Sequence, residues 1–231
     1  MESRLDDYMN VESKARQSKG MSNNAIYHIV TKSIAAKHLK GRILLDVGCG
    51  SGNLWAFVCK KFDRYIGVDI VQYEGFPKEA EFISCNLESY KIPLIDSLAD
   101  VVCSIETIEH LENPRAFMRE LVRLTKPGGW ILVTTPNQLS LLSKLTFLLK
   151  NQFNAFQEKT GLYPTHITAL LEIDLVRMAT ECGLVHIQID YSHEGRIPFA
   201  SWHWPNKLGF YGQAFSDNVC LVARKGFSND I

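Results

Sequence analysis

The stretch with the clearest chemical character is a glycine-rich loop that directly follows a short apolar run. Gly48, Gly50 and Gly52 are spaced as G-x-G-x-G behind the run Ile43–Val47. Glycines let a chain turn tightly and let a ligand lie against the backbone, and a helix that begins after such a loop offers unpaired N–H groups. The loop therefore predicts a ligand site, although a plain strand-to-helix turn would use the same residues.

Two aspartates frame this loop and narrow the choice of ligand. Asp46 lies two residues before Gly48, where a carboxylate would repel a pyrophosphate and would either accept an ammonium group or support the loop. Asp69 ends the next β-branched run, and a carboxylate there can accept hydrogen bonds from both hydroxyls of a ribose. The dinucleotide fingerprint is G-x-G-x-x-G, so the shorter spacing here argues against a pyrophosphate. An adenosine with an amino-acid tail agrees with all three observations.

In the order of its motifs the chain resembles the class I S-adenosylmethionine-dependent methyltransferases. The glycine loop, the acid after it, a motif after the fourth strand and a Lys-Pro-Gly-Gly turn follow one another over roughly residues 40–136, with a weaker match through 223. The resemblance implies S-adenosyl-L-methionine as cofactor and S-adenosyl-L-homocysteine as product. It also implies the cofactor-binding residues: Asp46 and Gly48 at the methionine end, Cys49, Gly50 and Gly52 in the same loop, Asp69 at the ribose, Ile70 against the adenine ring, and Ile105 near the methionine moiety.

The segment after the third predicted strand departs from the family pattern. The family usually has an acidic residue there, which binds the adenine amino group, whereas this chain has Asn86 followed by Leu87. The amide oxygen of an asparagine can still accept that hydrogen bond. We therefore keep Asn86 and Leu87 as adenine-binding candidates.

The stretch after the fourth predicted strand brings acidic and imidazole side chains together. Glu106, Glu109, His110 and Pro114 follow the pattern E-x-x-E-H-x-x-x-P, which resembles the signature of the quinone-biosynthesis O-methyltransferases. The resemblance implies that Glu109 and His110 lie at the mouth of the substrate pocket. A neutral histidine can take a proton from an acceptor hydroxyl near pH 7, so His110 is the first candidate base. It could instead support the loop through Glu109.

A second histidine is the other catalytic candidate. His166 precedes a predicted helix, and quinone methyltransferases carry a similar histidine in the corresponding place, which implies contact with the acceptor. His193 and His203 lie in an aromatic stretch and are weaker candidates. The six cysteines form no C-x-x-C pair, so we expect no metal site.

Composition excludes several other classes of protein. Lys+Arg and Asp+Glu both number 25, and a net charge of zero argues against tight non-specific binding of nucleic acid. The fifth strand ends in Thr-Pro-Asn at 135–137, which differs from the D/N/S-P-P-Y/F loop of enzymes that methylate nucleic-acid bases. No apolar run approaches the roughly 20 residues of a membrane span, and no signal segment opens the chain. We expect a cytoplasmic protein.

These motifs need an alternation of strands and helices to position them. Apolar, β-branched runs predict seven strands, at Ile43–Val47, Tyr65–Val68, Glu81–Ser84, Asp100–Ser104, Trp130–Thr134, Leu184–Ile189 and Val219–Ala223. Amphipathic stretches predict helices over 21–39, Asn53–Phe62, Pro114–Leu124, Leu139–Phe153 and Ile167–Cys182. Alternation of this kind predicts an α/β Rossmann-like fold: a mostly parallel seven-stranded sheet covered by helices on both faces, with the last strand antiparallel. We expect Pro127-Gly128-Gly129 to end the third helix.

The domain organisation follows from these elements. We expect an N-terminal cap over residues 1–40 and a methyltransferase domain over 41–231, with insertions at about 138–164 and 191–217. The first insertion has leucines and phenylalanines at helical spacing with lysines between them. It is interpreted as an amphipathic lid over the pocket, or as a membrane-surface contact for a lipid-like acceptor. The second is rich in aromatic residues and could be a satellite core, part of the acceptor pocket or a self-association surface, in a monomer or a homodimer.

The leading functional interpretation is transfer of a methyl group to a small-molecule acceptor, most simply to a hydroxyl oxygen, by in-line displacement. One alternative is a nicotinamide-dependent oxidoreductase, which the loop spacing and Asp46 disfavour. Another is a binding protein that has kept the cofactor site without catalysis, which the change to Asn86 would allow. No nucleic-acid partner is expected.

Overall fold

The computed structural model describes residues 12, 15–16, 20–89, 91–157, 166–193 and 195–227. Much of the predicted cap over 1–40, the last part of the predicted insertion over 138–164, and one residue of the insertion over 191–217 therefore lie outside the described residues.

The centre of the molecule is one seven-stranded sheet in the order β3-β2-β1-β4-β5-β7-β6. The strands are β1 Gly41–Val47, β2 Phe62–Asp69, β3 Glu81–Ser84, β4 Ala99–Ile105, β5 Thr125–Pro136, β6 Leu184–Tyr191 and β7 Asn218–Lys225. The strands from β3 to β5 pair in parallel, and β7 pairs antiparallel with both β5 and β6. The predicted sheet, including its antiparallel last strand, is confirmed.

The strand order reverses beside β1, and this places the site. From β1 the chain moves outward to β2 and β3, and then returns to pair β4 with the other side of β1. Ligands of open parallel sheets bind at the carboxyl ends of the strands next to such a reversal. The loops after β1, β2 and β4 therefore meet at one edge of the sheet, and they contain the predicted cofactor and catalytic residues.

Five α-helices are described, and most are shorter than the sequence predicts. They are α1 Asn24–Ala36, α2 Trp55–Val58, α3 Pro114–Leu124, α4 Leu141–Lys150 and α5 Glu172–Glu181. The bounds of α3 are as predicted, with Pro114 in its first turn. The residue that ends α3 is Thr125, because it already pairs with Ala99 and its hydroxyl donates to Leu121 O at 2.7 Å. The expectation that Pro127-Gly128-Gly129 ends this helix was wrong.

The start of α5 is also corrected by local hydrogen bonds. The predicted helix began at Ile167, but the N–H groups of Ile167 and Thr168 both donate to the carbonyl of Glu109 at 3.0 Å. These bonds hold the chain in an irregular path until Leu171, whose N–H donates to the Asp174 carboxylate at 3.1 Å. The segment before α5 therefore supports the loop after β4 and does not extend the helix.

Apolar side chains cover both faces of the sheet. On one face α1 and α2 contribute residues such as Val30, Ile34 and Val58 to a buried cluster. On the other face α3 and α5 contribute residues such as Met118 and Leu175. Helices therefore cover the sheet on both sides, as predicted, and the strand ends at the site are fixed between two packed layers.

Both insertions leave the sheet at its carboxyl edge, and one side chain fastens them together. The Asn137 amide nitrogen donates to the carbonyls of Gln213 and Ser216, at 2.7 Å each, and its backbone N–H donates to Asp217 O at 2.7 Å. Its amide oxygen accepts the N–H of Leu139 at 2.9 Å. The start of the first insertion and the end of the second thus share one anchor. Among the described residues, no helix has the length and apolar character needed to cross a bilayer.

Candidate active site

The glycine loop joins the end of β1 to α2 with its backbone in a conformation that favours glycine. Gly48, Gly50 and Gly52 have φ of +80°, +51° and +72°, in the left-handed region that side chains with a Cβ rarely adopt. The N–H groups of Gly48 and Cys49 donate to Val68 O at 2.8 and 3.2 Å, which ties the loop to β2. The alternating glycines thus form a fixed backbone cradle.

Asp46 lies directly beneath this cradle and is 2% exposed. The Tyr65 hydroxyl donates to one of its carboxylate oxygens, and the other oxygen has no hydrogen-bond partner among the described residues. Desolvation raises the pKa of Asp46 to about 7, against the lowering effect of the Tyr65 hydrogen bond. A buried carboxylate with a free oxygen is suited to an ammonium group, so the site fits the amino end of the methionine moiety.

Asp69 ends β2 on the other side of the loop. One carboxylate oxygen accepts the N–H of Gly50 at 2.8 Å, and the other accepts the N–H of Ile70 at 2.7 Å. Desolvation raises the pKa of Asp69, and these N–H donors act in the opposite direction. The N–H of Val71 is a third backbone donor to this carboxylate. Three backbone donors thus orient it, and its remaining lone-pair capacity is available to the ribose hydroxyls.

The N-terminal segment lies against the glycine loop, which sequence reasoning missed. The N–H of Ser51 donates to Gly20 O at 2.9 Å, and a Cβ on Gly50 would lie 2.2 Å from the same oxygen. The Tyr73 hydroxyl donates to Ala15 O at 2.6 Å. We refer to this contact of Gly20 with the glycine loop as the strap, and the cap over 1–40 stays a prediction. The one sequence feature that could have indicated this contact is the glycine at position 20, since Gly20 has φ +54°.

On the adenine side the predicted residues lie as the strand ends place them. Ile70 is half-buried after β2, and Leu87 packs against the main core. The Asn86 amide oxygen already accepts the N–H of Glu88 at 3.0 Å. Asn86 therefore stabilises its own turn, and its oxygen has one remaining lone pair for the adenine amino group.

The end of β4 closes the methionine side of the cradle. Ile105 is 6% exposed, and its carbonyl accepts the Thr107 hydroxyl at 3.1 Å. A Cβ on Gly48 would lie 2.1 Å from that hydroxyl. Thr107 is thus a contact residue of the loop that the sequence did not single out, and Gly48 is required to be glycine by space as well as by φ.

The two candidate bases lie side by side at the same edge. The imidazole rings of His110 and His166 have centroids 4.8 Å apart. The His166 Nδ1 lies 2.7 Å from Ala155 O, and because a carbonyl only accepts, Nδ1 carries the hydrogen there. The Nε2 of a neutral His166 is then the nitrogen that can accept a proton, and it lies 3.7 Å from the Glu109 carboxylate.

Glu109 is completely buried beneath these rings. Neither carboxylate oxygen makes a hydrogen bond of good geometry among the described residues, and the nearby Thr135 hydroxyl is the side chain placed to donate to it. Desolvation raises the pKa of Glu109, and the neighbouring Glu106 raises it further. The backbone carbonyl of Glu109 holds Ile167 and so fixes the approach to His166.

Glu106 is a further acidic residue that the prediction of site residues omitted. It has φ +49°, which is uncommon for a residue with a Cβ. Its carboxylate accepts the Thr134 hydroxyl at 2.9 Å and the Asn218 amide at 2.8 Å. Burial raises the pKa of Glu106. These bonds connect the loop after β4 to both β5 and β7.

The histidine cluster is also a possible metal site. Glu109, His110 and His166 each offer a ligand atom, and these atoms lie within 4.8 Å of one another. Two imidazoles and a carboxylate suit a divalent transition metal ion, and the unpartnered oxygens of Glu109 fit that role. The sequence predicted no metal ligands here, and that stays a prediction.

The weaker histidine candidates lie in the second insertion. His193 stacks on Tyr211, with ring centroids 4.7 Å apart, and lies 3.1 Å from Lys32 Nζ of α1. His203 is paired with Arg196 in an isolated antiparallel bridge. These contacts serve the insertion, and His110 with His166 remains the candidate catalytic pair.

Comparison with known proteins agrees with this geometry. A family model described as a methyltransferase domain matches residues 24–189. A probable S-adenosylmethionine-dependent methyltransferase of Mycolicibacterium smegmatis is 28% identical over 177 residues, which cover 74% of this chain and 67% of that protein. The mitochondrial ubiquinone biosynthesis O-methyltransferase of Dictyostelium discoideum is 28% identical over 142 residues, which cover 54% of this chain and 44% of that protein.

A solved structure shows the same fold. The S-adenosylmethionine-dependent methyltransferase from Archaeoglobus fulgidus superposes with a TM-score of 0.62 at 19% identity, covering 86% of this chain and 94% of that one. The chain spans two thirds of the mycobacterial relative and less than half of the Dictyostelium one. These similarities favour a methyl donor over the nicotinamide alternative.

Proposed function

The chain belongs to the class I S-adenosylmethionine-dependent methyltransferases, and on that premise we propose that it methylates a hydroxyl oxygen of a small-molecule acceptor. The observation that carries the proposal is the buried Asp46 carboxylate, with one unpartnered oxygen, beneath a cradle of glycines at positive φ. We assign residues 41–231 to the catalytic domain and 1–40 to its cap.

The cofactor seat is built from three sides. Asp46 and the glycine loop hold the methionine end, Asp69 holds the ribose, and Ile70 with Asn86 and Leu87 lines the adenine side. When bound, S-adenosylmethionine supplies a methyl group attached to a positively charged sulfur, and the sulfur leaves as an acceptor oxygen attacks the methyl carbon in line. The strap at Gly20 lies against the loop, where the carbonyl of Gly20 accepts the N–H of Ser51.

The proton of the acceptor hydroxyl is taken by the histidine pair. The Nδ1–H of His166 donates to Ala155 O, so Nε2 is the ring nitrogen that carries the lone pair and accepts that proton. The buried Glu109 lies 3.7 Å from Nε2 and orients the ring. His110, beside His166, either takes the proton itself or orients the acceptor toward His166.

The acceptor is assigned by the surroundings of this pair. The name of the Dictyostelium relative specifies an O-methyltransferase, which supports a hydroxyl oxygen over nitrogen or sulfur. In the first insertion α4 exposes Phe147, Leu148 and Leu149, at 45%, 75% and 67%. An exposed apolar helix beside the site supports a lipid-like acceptor taken from a membrane surface by the segment 138–164. A cytoplasmic location and a monomer or homodimer remain our expectations.

A divalent cation is a second candidate for the task of the histidine pair. The convergence of Glu109, His110 and His166 favours it, because a cation held there would lower the pKa of a coordinated hydroxyl. Exhaustive dialysis against a chelator separates the two roles. Activity that survives chelation supports the histidine base, and activity that is lost and then restored by an added divalent ion supports the cation.

The proposal is tested by titration and turnover. Isothermal titration should show binding of S-adenosylhomocysteine and none of NAD, and tight NAD binding alone would reject the methyl-donor site. A panel of matched phenols, amines and thiols with isotopically labelled S-adenosylmethionine then reports the acceptor atom. Methylation of amines or thiols in preference to phenols would refute the assignment to oxygen. Binding without turnover on any acceptor would support a non-catalytic protein.

A further inference from the structure

An open cavity of about 300 Å³ lies at the opposite edge of the sheet from the candidate active site. Its walls come from the chain just before β1, from the first residues of β4 and β5, and from the chain just after β7. Because β1, β4 and β5 are parallel, this is their amino edge, and the length of β1, roughly 20 Å, separates it from the glycine loop. We refer to it as the amino-edge cavity.

The ionisable side chains of this cavity are mostly basic. Those that carry or can carry a positive charge are Lys37, His38, Lys40 and Lys126, and the one acid that lines the cavity is Asp100. The Asp100 carboxylate is already occupied, because Lys126 Nζ donates to one oxygen at 2.8 Å and the N–H of Ile43 donates to the other at 2.9 Å. Lys126 and Asp100 therefore neutralise each other, and the rest of the lining has an excess of positive charge.

Neutral groups hold the ammonium group of Lys37. It donates to Gln188 Oε1 at 2.9 Å and lies 5.0 Å from the centroid of the Trp130 ring. The Asp190 carboxylate lies behind this amide, where it accepts from Gln188 Nε2 at 2.6 Å. Lys40 is exposed and makes no ion pair within the part of the chain that the structure describes. Two ammonium groups thus line one cavity without an acidic partner among the described residues.

The cavity also has an apolar part, at the Lys-Pro-Gly-Gly turn before Trp130. Phe227 packs on this turn, where a Cβ on Gly128 would lie 2.4 Å from the phenylalanine ring. Arg224 Cζ lies 5.2 Å from the centroid of that ring, and Arg224 Nε donates to Gly128 O at 3.0 Å. Trp130 itself is half-buried. A ligand with an apolar part next to an anionic group would therefore match the cavity.

We propose that the amino-edge cavity binds a small phosphomonoester, with Lys37 and Lys40 on the phosphate group. Ammonium groups offer charge-assisted hydrogen bonds to phosphate oxygens, and a cavity of this size admits only a small molecule. A phosphomonoester carries close to two negative charges near pH 7, so it balances both lysines, whereas a single carboxylate balances one. The site is remote from the methyl donor and acceptor, so the inference goes beyond the proposed function and does not depend on it.

The test is isothermal titration of the full chain with phenyl phosphate, with inorganic phosphate, and with benzyl alcohol as the uncharged comparison. Both phosphates should bind and benzyl alcohol should not, and the affinity should fall as added salt screens the lysines. Lys37→Gln and Lys40→Gln should each weaken binding of phenyl phosphate by roughly fivefold. Lys144→Gln is the matched control, because Lys144 is an exposed lysine of α4, in the first insertion, and its loss should leave binding unchanged.

Amide chemical shifts locate the bound phosphate. Phenyl phosphate should shift the resonances of residues 37–40 and 128–130 and leave those of residues 48–52 unchanged. Shifts confined to residues 48–52 would overturn the proposal, since the phosphate would then lie in the donor site. Equal affinity of phenyl phosphate and benzyl alcohol would also overturn it, as would equal binding of phenyl phosphate by the wild type and by Lys37→Gln/Lys40→Gln. Titration with S-adenosylhomocysteine on the same preparations reports the proposed function separately.

Discussion

The Tyr65 hydroxyl donates a hydrogen bond to the Asp46 carboxylate beneath the glycine loop, and this is the only partner that Asp46 has for its side chain among the described residues. The two residues lie on neighbouring parallel strands, where Asp46 is in register with Gly67, two positions beyond Tyr65. The second carboxylate oxygen stays free inside the protein. The donor site is thus built around one buried acid that a neutral hydroxyl stabilises only in part.

The stability of the ligand-free protein should fall as pH rises through the range in which the Asp46 carboxyl loses its proton. Its folded pKa of about 7 exceeds its ordinary value of 3.8, so the folded state holds a proton that the unfolded state releases. This proton stabilises the folded state by roughly 4 kcal/mol below pH 3.8, and that stabilisation is lost as pH approaches 7. Asp46→Asn should flatten the dependence of the unfolding free energy on pH, measured by urea titration. The slope should decrease without vanishing, because burial also raises the pKa of Glu106 and Glu109.

Cofactor affinity should depend on pH in the opposite sense. Above pH 7 the Asp46 carboxylate is ionised and can pair with the ammonium group of the ligand, so S-adenosylhomocysteine should bind more tightly as pH rises from 6 through about 7. Titration calorimetry at several pH values measures this. Asp46→Asn should bind weakly and almost independently of pH, and an unaltered pH dependence in that variant would show that another group is responsible.

Asp69→Ala should weaken S-adenosylhomocysteine binding by more than tenfold, because it removes charge-assisted hydrogen bonds to two ribose hydroxyls. It also leaves the N–H of Gly50 without its acceptor. Asp63→Ala is the matched control, since Asp63 is exposed on the same strand. Unchanged affinity in the Asp69 variant would place the ribose elsewhere.

His110→Ala and His166→Ala should each lower turnover by about a hundredfold or more while S-adenosylhomocysteine affinity stays within a factor of two. The reason is that the pair faces the acceptor rather than the cofactor cradle. His28→Ala, an exposed histidine on α1, is the control. If turnover and cofactor affinity fall together in the His110 or His166 variant, that residue has a structural role.

Gly50→Ala should displace the N-terminal strap, because the new Cβ would lie 2.2 Å from Gly20 O. Gly183→Ala separates this effect from backbone strain: Gly183 also has a positive φ, but a Cβ there meets nothing within 4 Å. Both variants should lose about 1–2 kcal/mol to strain. Only Gly50→Ala should also expose the N-terminal segment to limited proteolysis and reduce cofactor affinity. Equal behaviour of the two would show that the strap contact is unimportant.

The sheet was predictable because the apolar runs are separated by recognisable turns. Each strand was found, and the errors lie at the ends, where hydrogen bonds from distant parts of the chain decide the outcome. The segment after His166 is an example, because its N–H groups are taken by a carbonyl from the loop after β4. No local pattern around Ile167 contains that information.

The candidate site likewise divides into features set by neighbouring residues, which the sequence predicts, and features set by distant parts of the chain, which it does not. Asp46, Asp69 and the glycines were found because they are close in sequence and their spacing is itself the signal. Tyr65 was missed, although the parallel pairing of β1 with β2 places it two residues before Gly67, the register partner of Asp46. Glu106 and Asn218 are separated by more than a hundred residues, and their hydrogen bond depends on β7 pairing with β5. The roles of His110 and His166 remain predictions.

The anchor at Asn137 has a consequence for how this chain can diversify. One amide side chain joins the beginning of one insertion to the end of the other, so a substitution there alters both segments at once. The residues proposed for the donor site lie elsewhere, at the ends of β1 to β4 and in the loops that follow them. The two insertions are therefore coupled mechanically through one side chain, and a single substitution at Asn137 can change both without touching the glycine loop.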